Sequence, residues 1–301
     1  MNPTPSVTRT VDAELLAALP SMELRARAMV EGYYSGRHRS HFRGASIEFA
    51  DHRAYSHGDE LRHLDWRLYG RSDRFFVKQF EAETSLSVWL AVDSSASMGY
   101  PEGAVTKLDC ACYLAAGLAW LAWRQRDAVG LSLFDDAIHD QLPPLTRRGH
   151  LQGVFDRLEG ARPGGETALS QALVQLGGSI RRRGLIVLIS DLLDDPEAIL
   201  RALATLRRRG HDLIVLQVLH RSEIELGVHG PALVEDMETG ERLATDAEQV
   251  REQYQAAIRS HVDCLHDGCV GRGMDHELFV TDMPLGRALS TYLARRNSRT
   301  K

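Results

Sequence analysis

Beyond residue 85, the chain alternates between short apolar runs and longer stretches in which apolar residues recur with helical spacing. The apolar runs of strand length are Leu86–Val92, Val129–Phe134, Leu185–Ile189, Leu213–Leu219 and Leu278–Val280. Apolar residues at i, i+3, i+4 and i+7 predict helices over Lys107–Arg124, Arg148–Leu158, Ala168–Arg181, Pro196–Arg208, Ala247–His266 and Leu285–Ala294. Strands rich in Val, Ile and Leu that alternate with helices indicate an α/β fold with a central, mostly parallel sheet and helices on both faces.

Two segments interrupt this alternation. Ile138–Leu142 follows Phe134 after one short turn, which is too close for a helical crossover, so it is predicted to be an antiparallel edge strand. Residues 232–245 are typical of two short strands around a turn at Thr239 and Gly240. We therefore expect a small hairpin, inserted into the α/β pattern near residues 230–245.

The N-terminal part of the chain has a different pattern. Val11–Leu19 and Met22–Tyr33 have helical spacing. Residues 35–80 are polar and rich in Arg, His and aromatic residues, without a clear period, and we expect them to wrap over another part of the protein. The expected organisation is an N-terminal region of helices and a wrapping arm over residues 1–84, followed by an α/β domain over residues 85–301.

Composition and charge argue against several classes of function. The chain has 301 residues, of which 44% are hydrophobic and 26% charged, as in an ordinary soluble globular protein. Its formal net charge of −5 argues against a nucleic-acid partner. The N-terminus does not resemble a secretory signal, and the apolar window 113–123 is much shorter than the roughly 20 residues that span a bilayer, so no membrane span is expected. The four cysteines are expected to be reduced thiols, which indicates a cytoplasmic protein.

Oxygen-bearing side chains occur at two predicted strand ends and in one loop. Asp93 ends an apolar run, and Ser95 and Ser97 follow at alternate positions. If the chain stays extended there, these three side chains point the same way and converge above the sheet. Asp191 follows a second buried run, and Thr167 lies in a loop that begins with two glycines. Such oxygen ligands suit Mg²⁺ or Mn²⁺, and open α/β sheets bind ligands beyond the carboxyl ends of their strands.

Each of these residues also has an ordinary structural explanation. Thr167 can be a helix N-cap, Asp191 can be a loop or capping residue, and the serines can cap the helix after the first strand of the sheet. Asp194, two residues before Pro196, is the better candidate for the cap of the next helix. The metal interpretation depends on the three segments together, because all of them supply hard oxygen ligands at neighbouring strand ends.

The combination of Asp-x-Ser-x-Ser, a Thr in a glycine-rich loop and an Asp after a later strand resembles the metal-ion-dependent adhesion site of von Willebrand factor A domains. The order of the strands, with an antiparallel third strand, resembles that Rossmann-like fold as well. The resemblance implies that Ser95, Ser97 and Thr167 bind Mg²⁺ or Mn²⁺ directly. It also implies that Asp93 and Asp191 act largely through water, and that one coordination position stays open for a carboxylate from a partner protein.

Residues 36–98 resemble the signature of the bacterial family called domain of unknown function 58. The matching positions are Arg53, Tyr55, Gly58, Asp59, Arg62, Asp65, Trp66, Arg71 and Glu83. The resemblance implies a non-enzymatic protein that works with a MoxR-type AAA+ ATPase in chaperone-like assembly or maturation of a client protein. The same residues have a structural interpretation, as buried ion pairs that pin an extended arm onto the sheet.

Other kinds of chemistry have less support in the sequence. The alternative function is a Mg²⁺-dependent phosphoryl-transfer enzyme that uses Asp93 and Asp191, but no obvious catalytic lysine stands between these two aspartates. The sequence contains neither a P-loop nor a Gly-x-Ser-x-Gly motif. The His and Cys residues of segment 261–269 meet zinc-site spacing only loosely, and this segment is predicted to be a helix end that stops at Gly268.

Overall fold

The structure is a computed structural model, which describes residues 12–36, 51–54, 68–70, 75–79, 86–101, 105–165, 168–235, 237 and 240–286. The chain divides into two compact units, and residues 39–85 form the smaller one. In the smaller unit, β1 (Asp51–Ala54) pairs antiparallel with β2 (Phe76–Gln79), and residues 68–70 form a short helical segment, α3. The ion pairs and the wrapping contacts expected of the N-terminal signature lie outside the described residues.

The described part of the larger unit contains a sheet of six strands. In chain order these strands are β3 (Ser87–Asp93), β4 (Ala128–Phe134), β5 (Ile138–Leu145), β6 (Leu185–Ser190), β7 (Asp212–Leu219) and β10 (Asp275–Val280). They lie in the order β10–β7–β6–β3–β4–β5, and all neighbours are parallel except β4 and β5. This is the doubly wound order of an α/β sheet, so the predicted fold class and its antiparallel edge strand are confirmed.

Helices cover both faces of this sheet, as predicted. In chain order, the helices described in the larger unit are α1 (Ala13–Ala17), α2 (Met22–Gly36), α4 (Lys107–Arg124), α5 (Arg148–Gly160), α6 (Leu169–Ser179), α7 (Pro196–Arg208), α8 (Arg221–Glu225) and α9 (Ala247–Val270). Alternate residues of β3 point to opposite faces. Val88, Leu90 and Val92 join a hydrophobic cluster with residues of α1, α2, α4 and α5. Trp89 and Ala91 join a second cluster with residues of α6, α7 and α9.

The helix α4 has the predicted boundaries and is buried on both sides, as expected. It begins with a capping box, in which the Thr106 hydroxyl accepts from the Asp109 backbone N–H and the Asp109 carboxylate accepts from the Thr106 N–H. Its residues pack against β3, and Gly117 lies against the side chain of Met29 on α2. The capping box fixes where α4 starts, and therefore where Lys107 lies.

Two sequence-based predictions about helix ends are wrong. α9 does not stop at Gly268 but continues to Val270. Gly268 instead allows close packing against α7, since a Cβ at this position would lie 2.4 Å from Cδ1 of Leu200. The N-cap of α7 is Asp195 rather than Asp194, because the Asp195 carboxylate accepts hydrogen bonds from two N–H groups of the first turn.

The predicted inserted hairpin is present as β8 (Pro231–Glu235) and β9 (Arg242–Asp246), which form a sheet of their own. Gly240 precedes β9 with φ of 69°, a conformation that glycine adopts readily. The predicted helix over residues 285–294 lies outside the described residues, apart from 285 and 286. Among the helices that the structure describes, none has both the length and the apolar character needed to cross a membrane.

A candidate metal centre at the carboxyl ends of β3 and β6

The topology of the sheet creates a crevice between β3 and β6. From β3 the chain continues to α4 on one face, whereas from β6 it continues to α7 on the other face. Such a switch point leaves room for a ligand beyond the carboxyl ends of the two strands. β3 ends at Asp93, and Asp191 directly follows the last residue of β6. The two aspartates of the predicted site therefore stand on either side of this crevice.

The loop after β3 brings two serine hydroxyls toward Asp191. The Ser95 and Ser97 Oγ atoms are 3.1 Å apart, and the Ser97 hydroxyl donates to Oδ2 of Asp191 at 2.8 Å. The backbone does not stay extended, as the sequence analysis assumed, because Ala96–Gly99 form a 3-10 turn. The hydroxyls are thus brought together by this turn rather than by strand alternation.

Asp93 is completely buried and its two carboxylate oxygens are hydrogen-bonded. Oδ1 accepts from the Ser95 N–H at 2.9 Å, and Oδ2 accepts from the Ser190 hydroxyl at 2.5 Å. Burial, reinforced by the negative charge of Asp191, raises the pKa of Asp93 to about 7, although the hydrogen bonds from Ser190 and Ser95 act in the opposite direction. The site therefore holds an acidic group whose charge is poorly solvated.

A lysine that sequence reasoning overlooked contacts Asp191. Lys107 is completely buried, and its Nζ donates to Oδ2 of Asp191 at 2.7 Å and to Oε1 of Glu223 at 2.6 Å. Glu223 belongs to α8, and its Oε2 accepts from the His220 N–H at 2.7 Å. Sequence reasoning found no obvious catalytic lysine between the two aspartates and did not consider Lys107, which lies between them in the chain and contacts one of them. The signal that could have indicated it is a basic residue at the first position of a helix that is largely apolar on both sides.

The position of Thr167 lies outside the described residues, but the loop that leads to it is attached to the strand end. The Gly164 N–H donates to the Ser94 carbonyl at 2.9 Å, and the Ala96 N–H donates to the Gly165 carbonyl at 3.1 Å. Gly165 has φ of 76°, and a Cβ there would lie 2.7 Å from an Asp135 carboxylate oxygen. Four of the five predicted site residues are therefore brought together, and the glycine loop that leads to the fifth lies next to them.

The donor set fits a hard divalent cation. In octahedral coordination with metal–oxygen distances of roughly 2.1 Å, neighbouring ligand oxygens lie about 3.0 Å apart. The Ser95–Ser97 and Ser97–Asp191 oxygen pairs, at 3.1 and 2.8 Å, have this spacing. Two aspartates and two hydroxyls also offer only oxygen, which Mg²⁺ and Mn²⁺ prefer.

The His and Cys residues near the end of α9 do not converge in the same way. His261 Nε2 lies 2.8 Å from the Leu192 carbonyl oxygen, Cys264 is exposed and Cys269 is buried. Within the part of the chain that the structure describes, no three His, Cys, Asp or Glu side chains gather as a metal site of those residue types would require. The oxygen cluster between β3 and β6 is therefore the stronger candidate site.

Several known proteins are similar to this chain. Uncharacterized proteins of Mycobacterium tuberculosis and Mycobacterium bovis are 30% identical over 232 residues, which cover 76% of this chain and 73% of theirs. Among solved structures, the conserved hypothetical protein BatB of Bacteroides thetaiotaomicron aligns with 71% of this chain and 99% of its own, with 18% identity and a TM-score of 0.45. A von Willebrand factor type A structure from Catenulispora acidiphila aligns with 58% of this chain and 43% of its own, with 14% identity and a TM-score of 0.35.

A family model also matches much of the chain. The model of the family described as "Protein of unknown function DUF58" matches residues 51–263, which is more than half of the chain. This range includes β1 and all of the described residues of the candidate metal centre. The chain therefore belongs to the DUF58 family.

Proposed function

We propose that this protein is a non-enzymatic protein-interaction module that depends on a divalent metal ion. The observation that carries the proposal is the convergence of Asp93, Ser95, Ser97 and Asp191 at the switch point of the sheet. Within this set, the Ser95–Ser97 and Ser97–Asp191 oxygen pairs have the spacing of neighbouring metal ligands. A bound Mg²⁺ or Mn²⁺ supplies a Lewis-acidic position that a carboxylate from a partner protein can fill.

The residues of the site have two kinds of role, as neutral ligands and as charged groups. The Ser95 and Ser97 hydroxyls offer neutral oxygens, and Thr167 is proposed as a third such ligand. Asp93 and Asp191 supply the negative charge that attracts a cation. The hydrogen bonds that Asp93 accepts from Ser190 and Asp191 accepts from Lys107 keep both carboxylates oriented. Because most of the direct ligands are neutral, the bound ion keeps a strong preference for an anionic partner group.

The proposed partners follow from the family resemblance. A MoxR-type AAA+ ATPase is proposed as the energy-using component, and an acidic residue of a client protein or of the ATPase as the donor of the carboxylate. The protein then recognises or holds the client during assembly or maturation. The cytoplasmic location stays a prediction from the sequence.

The alternative of a phosphoryl-transfer enzyme has less support. Both oxygens of Asp93 accept hydrogen bonds and the side chain is completely buried, so it is poorly placed to attack a substrate. The Lys107 ammonium is held between two carboxylates, away from solvent. Turnover of phosphoesters with Mg²⁺ or Mn²⁺ that is lost in Asp93→Asn would favour the enzyme over the interaction module.

Binding of a purified MoxR-type ATPase, measured by biolayer interferometry with Mg²⁺ and with chelator, tests the proposal. We expect binding in Mg²⁺ that weakens at least about tenfold with chelator or in Ser97→Ala, as expected when a charged interface contact is lost. Ser260→Ala is the matched control, because Ser260 is an exposed serine on α9. Binding that is the same in Mg²⁺, in chelator and in Ser97→Ala would contradict metal dependence.

A further inference from the structure

A buried ammonium group beside a candidate cation site requires an explanation. Lys107 is the first residue of α4, where the positive end of the helix dipole disfavours a cation, and its side chain has no exposed surface. Burial by itself lowers the pKa of Lys107, but the charges of Asp191 and Glu223 outweigh this effect and raise the pKa above its ordinary value. Nζ of Lys107 lies 2.7 Å from Oδ2 of Asp191 and 2.6 Å from Oε1 of Glu223, and these two ion pairs keep the buried lysine in its charged form.

Lys107 shares an oxygen atom with the candidate metal centre. Oδ2 of Asp191 accepts from both Lys107 Nζ and Ser97 Oγ. Any cation that binds to Ser97 and Asp191 must then share the negative charge of Asp191 with the ammonium group. Glu223 contacts Lys107 from the other side and offsets part of its charge. Asp93, Asp191, Glu223 and Lys107 thus form one electrostatic cluster of three carboxyl groups and one ammonium group.

We propose that Lys107 is a resident positive charge that weakens the hold of the site on a divalent ion and directs the bound ion toward an anionic partner ligand. This inference rests on the proposed metal-dependent function. Like charges a few ångströms apart in a buried site repel strongly, so the ammonium lowers the affinity for the cation. The same positive charge adds to the attraction for a carboxylate that approaches the ion. Lys107 therefore affects how tightly the ion is held and which partner group the ion prefers, and does not itself bind the ion.

Wild type and three variants together separate the effect of charge from the effect of losing a side chain. Lys107→Met removes the positive charge and keeps an unbranched side chain, and Glu223→Gln removes one negative charge and keeps the shape. The double variant Lys107→Met/Glu223→Gln loses one charge of each sign, so its net charge equals that of the wild type. Circular dichroism and the melting temperature of each protein show whether it is folded.

Calorimetric titration with Mn²⁺ near pH 8 is the first measurement. We expect Lys107→Met to bind Mn²⁺ at least about tenfold more tightly than wild type, and Glu223→Gln at least about tenfold more weakly. The double variant should stay within about threefold of wild type, since its net charge is unchanged. If Lys107→Met does not fold, the effect of losing Lys107 is measured by comparing the Mn²⁺ affinities of the double variant and Glu223→Gln, which differ only at position 107.

Acetate, as the simplest carboxylate, is the second probe. Its affinity for the Mn²⁺-loaded proteins, measured by water-proton relaxation, should follow the opposite order, with Lys107→Met the weakest. Equal Mn²⁺ affinities among wild type and the variants would overturn the role of Lys107 and leave the metal-dependent function standing. Absence of Mn²⁺ binding in all four proteins, both alone and with added acetate, would overturn the proposed function, and this inference with it.

Discussion

At the scale of single residues, the candidate site depends on hydrogen bonds between groups that are far apart in the chain. The Ser190 hydroxyl donates to Asp93, which lies on the neighbouring strand, and accepts from the Leu192 N–H at 3.0 Å. Because Asp93 has no exposed surface, this donor replaces part of the hydration that the carboxylate would have in water. Ser190, at the end of β6, thus keeps the Asp93 carboxylate at the end of β3 in position.

Replacing Ser190 by alanine should therefore destabilise the protein. Removing one partner of a buried hydrogen bond leaves the other unsatisfied, so we expect a loss of about 1–3 kcal/mol in the free energy of unfolding, measured by urea denaturation without metal. The exposed Ser260→Ala should change the free energy of unfolding by less than about 0.5 kcal/mol. Equal stabilities of the two variants would show that Ser190 does not support Asp93.

Sequence reasoning identified the local part of this site and missed the distant part. Asp93, Ser95 and Ser97 lie within five residues of one another, and Asp191 follows a recognisable apolar run. Lys107 and Glu223 are 116 positions apart in the chain, and their contact is visible only after the sheet and its helices are assembled. The convergence of the serines was predicted for the wrong local reason, because hydrophobic spacing does not indicate a 3-10 turn.

At the scale of elements, close packing of helices explains where the sequence pattern was misleading. Glycine near the end of a helical pattern usually indicates a helix end. Gly268 lies inside α9, however, where the Leu200 side chain of α7 occupies the space that a Cβ would need. The choice of glycine at this position follows from the neighbouring helix, which the local sequence does not reveal.

Two glycine substitutions should therefore have opposite effects on stability. Gly268→Ala forces Leu200 to move, and overpacking of this kind costs about 1–3 kcal/mol. Gly178→Ala in α6 introduces a Cβ into open space, where alanine favours the helix by up to about 1 kcal/mol. Urea denaturation of both variants beside wild type measures the two effects, and a Gly268→Ala protein at least as stable as Gly178→Ala would contradict the close approach of α7 and α9.

At the scale of the whole molecule, the alternation of apolar runs and helices predicted the α/β class. The spatial order of the strands was not predicted from hydrophobic spacing and was supported only by resemblance to a known fold.

The six-stranded sheet places β10 at one edge, where His276 is buried against the ring of His266 on α9, with ring centroids 5.5 Å apart. The stability of the whole domain is therefore coupled to pH through this edge.

Acid should destabilise the protein through His276. Burial, together with the charge on His266, lowers the pKa of His276 from 6.5 to about 4. The unfolded chain takes up this proton near pH 6.5 and the folded chain only near pH 4, so the stabilising contribution is present above this range and is lost as the pH falls through it. Between about pH 7 and about pH 5 the expected loss is about 2 kcal/mol.

Urea denaturation of wild type and His276→Phe at these two pH values measures this contribution. The phenylalanine variant keeps a buried ring and lacks the titrating nitrogen atoms, so it should lose about 2 kcal/mol less than wild type on acidification. Titrating groups that do not interact with His276 contribute equally to both proteins and cancel in the comparison. The same loss in both proteins would assign the acid sensitivity to other groups.

The most direct measurement is calorimetric titration of Mg²⁺ and Mn²⁺ into the full chain, with wild type, Ser97→Ala and Ser260→Ala in parallel. If the ion binds in the β3–β6 crevice, we expect one ion per chain in wild type and in Ser260→Ala. Ser97→Ala, which lacks a hydroxyl ligand, should bind the ion at least about tenfold more weakly. Absence of binding in wild type, both alone and with added acetate, would contradict the proposed metal centre. Equal binding by all three proteins would place the ion elsewhere in the molecule.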